Sequence, residues 1–144
     1  MVEIFKFSLL FVWQILQNII ALVMMPFLGE KRVVEYNKDK HCFVIEGEKM
    51  SGGISLGNFI YLSRFSAKQK ASIMHELGHV VDSHLFGPLY LFVIGLPSIL
   101  WAVLHTYCKI FSKRCYYSFY TEKRANRNAG VHVVEEHGRC RLSM

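Results

Sequence analysis

His75-Glu76-Leu77-Gly78-His79 gathers the residue types of a hydrolytic metal site. Two imidazoles four positions apart on an α-helix lie about 40° apart around the axis, close enough to hold one zinc ion. Glu76, next to the first of them, can reach water on that ion. Zinc would acidify the water, and the carboxylate would take its proton as the water attacks a carbonyl. A chain of 144 residues with this composition holds about 0.02 such matches by chance, so the pattern is informative. An amphipathic helix with two surface histidines reads the same. The longer metzincin pattern would need a glycine three residues after His79 and a histidine six after it. Asp82 and Leu85 stand there, which removes that class.

A third ligand is needed, and downstream candidates are few. Glu122-Lys123-Arg124-Ala125-Asn126 fits E-x-x-A-[DN], with Glu122 and Asn126 on one helical face. Glu122 would bind the zinc and Asn126 would orient a ligand histidine through its ring N–H. Otherwise Glu122 is a solvated charge beside Lys123 and Arg124.

With these two motifs the sequence resembles the gluzincin metallopeptidases, above all the membrane-bound kind that includes the CAAX prenyl proteases and the bacterial heat-shock membrane protease. In that family HExxH and a later E-x-x-A-D flank a pair of membrane helices. The resemblance implies His75, His79 and Glu122 as zinc ligands and Glu76 as general base and acid. It covers His75–His79 and Glu122–Asn126, with the general layout between them. Asn126 departs from the family's aspartate: it accepts a hydrogen bond but brings no charge. The chain is also shorter than the family's members, so a substrate cleft would be incomplete or shared with a second subunit or another copy.

Other side chains are weaker signals. His84 lies five residues past His79 and points elsewhere; His105 ends an apolar block; His132 and His137 lie in the tail. Tyr116, Tyr117 and Tyr120 offer hydroxyls to an oxyanion, but an aromatic belt at a membrane looks the same in sequence.

The elements that must position these residues are largely apolar. Phe7–Leu28 carries no formal charge and matches the roughly 20 residues a transmembrane helix needs. Glu3 offsets Lys6 ahead of it and no small-x-small cleavage site follows, which favours a retained helix over a signal peptide. Gln14, Gln17, Asn18 and Ala21 share one face, expected to pack on the rest of the chain. The basic stretch Glu30–Lys49 assigns that side, and the site, to the cytoplasm. His41–Glu46 and Ile54–Leu62 read as two short strands joined by a turn. Ser66 and Gln69 read as a capping box opening a helix to about His84. Ser83–Cys108 is again uncharged apart from histidine, and Gly87-Pro88 and Gly95-Leu96-Pro97 interrupt it. It reads as a re-entrant hairpin with arms Leu85–Ile94 and Ser98–Cys108 turning at Gly95-Leu96-Pro97, or as a second membrane helix kinked at Pro97. Tyr116–Ala129 reads as the ligand helix, with Thr121 its cap and Gly130 its stop. The expected fold is mainly α and membrane-associated, a minimal zincin-like α+β arrangement. Its parts are a transmembrane helix over residues 1–29 and a zinc-peptidase-like domain over 30–144 containing the membrane-embedded segment 83–108.

Composition agrees. The chain is 52% hydrophobic and 19% charged, with mean hydropathy +0.24, which excludes disorder and argues against a plain soluble enzyme. Its net charge of +6 suits anionic lipid, and no nucleic-acid-binding motif accompanies it. The four cysteines form no CxxC pair and read as free thiols; His41-Cys42 with His137-x-x-Cys140 would be a less usual zinc set. The expected function is a small integral-membrane zinc endopeptidase acting on a peptide or protein near the bilayer. A non-catalytic adaptor or inhibitor with a gluzincin-like fold is the alternative. Retention of Glu76 counts against that alternative.

Overall fold

A computed structural model describes residues 2–136 and 139–144. The chain begins with two helices, α1 (Val2–Trp13) and α2 (Ile15–Met24), followed by a 3-10 turn. Four strands follow: β1 (Lys31–Asn37), β2 (Cys42–Gly47), β3 (Gly53–Leu56) and β4 (Phe59–Ser63). Then come α3 (Lys70–Phe86), α4 (Leu96–Tyr107), the short α5 (Lys109–Ser112) and α6 (Tyr120–Ala129). A hairpin of β5 (His132–Glu136) and β6 (Arg139–Ser143) closes the described chain. The architecture is mixed α and β.

The main sheet has the order β1-β2-β4-β3, with β2 and β4 parallel and the outer pairs antiparallel. Strand alternation explains how both faces are buried. Cys42, Val44, Ile60 and Leu62 point to α3 and pack with Leu77 and Val80. Ile45, Leu56, Phe59 and Tyr61 point the other way and pack with Ala21 and Leu28. A strand buried on both faces reads as a nearly continuous apolar run, as β4 does. The expected pair of strands is therefore corrected: Ile54–Leu62 is itself a hairpin, and its second strand runs parallel to β2.

The polar stripe of the N-terminal segment packs inward as expected. Gln14, Gln17, Asn18 and Ala21 are fully buried. Gln14 accepts from Ser83 Oγ at 2.5 Å, Asn18 Oδ1 accepts from the Asn58 N–H at 2.8 Å, and Gln17 donates to the Gly87 carbonyl. The single helix expected over Phe7–Leu28 is instead broken at Gln14, and its two parts meet at 87°. Satisfying these amides on the sheet and on α3 fixes where the helix must turn.

Three further expectations are corrected. Ser66 and Gln69 make no capping box: Ser66–Lys68 is a 3-10 turn, Ser63 Oγ accepts the Ser66 N–H at 3.1 Å, and α3 starts at Lys70. The break in the apolar block falls at Gly87-Pro88. From there a π-helical stretch, Leu91–Gly95, leads directly into α4. Pro97 has no N–H to give to the Val93 carbonyl four residues back, and the Tyr120 hydroxyl bonds that carbonyl instead. Thr121 lies inside α6, whose N-cap is Phe119, while Gly130 stops the helix as expected. Among the described residues no single helix is long and apolar enough to cross a membrane.

Cys115 and Cys140 form a disulfide, correcting the free-thiol expectation for that pair and removing Cys140 as a metal ligand; Cys42 and Cys108 are free. His137, the partner of Cys140 in that set, lies outside the described residues.

Candidate metal centre

Helix α3 carries His75, Glu76 and His79, and α6 carries Glu122 and Asn126. The two helices must approach closely for their side chains to meet, and Gly78 permits it: a Cβ there would overlap the backbone of Ala125. One turn further along, buried Asp82 fixes the pairing. Its Oδ1 accepts from Arg124 Nη2 at 2.7 Å, Arg124 Nε at 3.0 Å and Asn128 Nδ2 at 2.9 Å. Asp82, Arg124 and Asn128 were not among the residues singled out by sequence. The i, i+4 spacing of the last two was the available signal.

The result is that His75, His79 and Glu122 converge. Glu122 Oε2 lies 3.1 Å from His75 Nε2 and 3.7 Å from His79 Nε2, and the three are 1–5% exposed. Their ligand atoms lie within 4.8 Å of one another. His79 and Glu122 therefore share one site, which is incompatible with a bilayer crossing that would part them by about 30 Å. Asn126 Oδ1 is 2.7 Å from His75 Nδ1. Ser98 Oγ, from α4, donates to Glu122 Oε1 at 2.6 Å, and Thr121 Oγ1 adds a bond at 3.1 Å. Ser55 Oγ, from β3, donates to Glu76 Oε2 at 2.6 Å.

These contacts define the donor set. Asn126 Oδ1 accepts the His75 Nδ1 proton, so the lone pair on Nε2 faces the Glu122 carboxylate. Two acceptors at that separation need a cation or a proton between them. Without a cation, burial acts to lower the His75 pKa, but the Glu122 hydrogen bond and the charges of Glu76 and Glu122 overcome it, so the net shift is upward. Burial likewise acts to raise the Glu122 pKa, and hydrogen bonds and charge from both imidazoles drive it well below the carboxylate range. Two imidazole nitrogens and one carboxylate oxygen suit a divalent transition metal. The buried cluster can bind a metal ion.

The site opens into a cleft of about 460 Å³ between β3 and α4, with Tyr90, Tyr116, Tyr117 and Leu142 also on its walls. Tyr117 stacks edge-on to His75 at 5.4 Å, whereas the Tyr120 hydroxyl is engaged by the Val93 carbonyl at 2.5 Å. The other described histidines stay outside the cluster: His41 Nε2 lies 3.7 Å from Glu3 Oε2, His84 is in the last turn of α3, His105 bonds the Arg114 carbonyl, and His132 is on β5. No known protein family, curated protein or solved structure matches the chain.

Proposed function

We propose that the protein is a zinc-dependent peptidase that works at a membrane. The observation that carries this reading is the convergence of His75 Nε2 and His79 Nε2 on Glu122 Oε2, with the Glu76 carboxylate on the same cleft. His75, His79 and Glu122 would hold the ion, and Asn126 would keep His75 in the ligating tautomer. Bound zinc would supply Lewis acidity toward a carbonyl and an acidified water. Glu76 would take the proton of the attacking water and return it to the leaving amine. Edge strand β3 would lie beside an extended peptide, although the Ser55 carbonyl is already bonded to the Tyr90 hydroxyl at 3.1 Å.

Membrane association is supported by the outward faces of α1, α2 and α4, where residues such as Phe5, Leu9, Ile19, Leu96 and Leu100 are 50–69% exposed. For sidedness, the basic loop favours the cytoplasm. A Cys115–Cys140 bond that persists in the purified protein would instead assign the site to an oxidising compartment.

The test is metal analysis and peptide hydrolysis by detergent-purified protein. The parent should hold about one zinc, His79→Ala should lose it, and Glu76→Gln should keep it while losing hydrolysis. Folded, chelator-free parent protein without metal would end the reading. Retained zinc without hydrolysis would favour the adaptor.

A further inference from the structure

Gly53 and Ser55 are two apart on β3 and therefore face the same side of the sheet, toward α3. Both abut the Glu76 carboxylate. A Cβ on Gly53 would overlap Glu76 Oε1, so only glycine leaves room for that oxygen. On the other side, Ser55 Oγ lies 2.6 Å from Glu76 Oε2 and 3.0 Å from the Glu76 backbone oxygen. Ser55 and Glu76 are 4% and 7% exposed, so water does not compete freely for these bonds. The strand is itself held, because the Tyr90 hydroxyl donates to the Ser55 carbonyl.

We propose that Ser55 is the positioning residue for Glu76, with Gly53 completing the cradle; this rests on the hydrolase reading above. A glutamate side chain on a helix rotates about three bonds, whereas a general base must stay within hydrogen-bond reach of its water. Ser55 holds Oε2, and Gly53, having no Cβ, leaves Oε1 its place against the strand. The Ser55 hydroxyl has one proton and two acceptors on the same residue. Because β3 also forms a wall of the cleft, a peptide lying along it would bear on the strand that orients the base.

Two measurements on the full-length, metal-loaded protein test this. In a crystal structure of Ser55→Ala the Glu76 carboxylate should turn away from its present position while His75, His79 and Glu122 stay in place. A carboxylate that does not move would overturn the proposal. In kinetics, Ser55→Ala should still fold and keep its metal, melt somewhat lower for want of the buried hydrogen bond, leave KM nearly unchanged and lower kcat about 10- to 100-fold. Ser55→Thr, which keeps the hydroxyl, should recover most of the loss, and Gly53→Ala should lower kcat with the metal retained. A Ser55→Ala kcat within about twofold of the parent would overturn the proposal, as would failure of threonine to rescue. A parent that hydrolyses nothing would defeat the peptidase reading, and the Ser55→Ala structure would still decide the role of Ser55.

Discussion

Asn126 offers His75 the oxygen an aspartate would offer, without the charge. A neutral partner orients the ring and fixes its tautomer but does less to strengthen the nitrogen that faces the metal. Asn126→Asp should therefore tighten metal binding and Asn126→Leu should weaken it about 10- to 100-fold, measured by competition with a chelator. Equal affinity in all three would remove Asn126 from the centre. The shifts of His75 and Glu122 carry a second prediction. The raised His75 pKa gives metal-free protein a contribution that is complete below the ordinary 6.5 and lost as pH rises through the raised value. The lowered Glu122 pKa gives a contribution present above the ordinary 4.5 and lost only in stronger acid. Chelated protein should thus melt lower at about pH 9 than at about pH 6, whereas metal-loaded protein should gain, because ligation displaces the His75 proton. Melting curves with and without chelator check the sign, and a rise with pH in both would contradict the pair. At this scale the metal-ligand residue types at helical spacing were legible in the sequence. Ser55, Ser98 and Asp82 were not, since a serine or aspartate acquires its role only from the strand or helix packed against it.

Between elements, the site depends on how closely α6 lies on α3. Gly78 sets that approach and the Asp82 cluster sets its register, both from inside or just beyond the histidine motif. Gly78→Ala would push α6 outward and should cost about 1–3 kcal/mol in urea unfolding. Asp82→Ala leaves a partly exposed Arg124 without its partner and should cost about 2 kcal/mol, less than for a fully buried pair. Both should also weaken metal binding, since Glu122 and Asn126 ride on α6. A variant with parental metal affinity would show that the helix pair tolerates the shift. The inward stripe Gln14–Ala21 could be read from sequence because four residues at helical spacing break an apolar run. The bend at Gln14 could not, because it arises where Ser83 and Asn58 meet those amides. Likewise β1 is exposed along nearly its whole length and lacks the apolar signal of β2 and β4.

For the molecule as a whole, the apolar outer faces must be reconciled with a site whose ligands lie on both sides of the 83–108 segment. At about 1.5 Å per residue, the continuous helical stretch Leu91–Tyr107 is some 25 Å long, short of the roughly 30 Å hydrocarbon core. The chain beyond it doubles back along α4: His105 Nε2 bonds the Arg114 carbonyl at 2.9 Å, and Trp101 Nε1 donates to the Tyr116 carbonyl at 2.8 Å. Lys109, Lys113 and Arg114 thus lie at the far end of α4. Sinking that end into hydrocarbon would bury cations at about 2.5–3.5 kcal/mol each. If α4 instead crossed completely, the only partly helical chain from Arg114 to Glu122 would have to return through lipid. On the membrane reading proposed above, an α4 lying along the surface of one leaflet would avoid both costs. Single cysteines replacing exposed Lys38, Lys113 and Arg127, in a background lacking Cys42 and Cys108, should all react with an impermeant reagent from the same side of sealed vesicles. Lys113→Cys reacting only from the opposite side would mean that α4 crosses, and the one-leaflet arrangement would then be wrong.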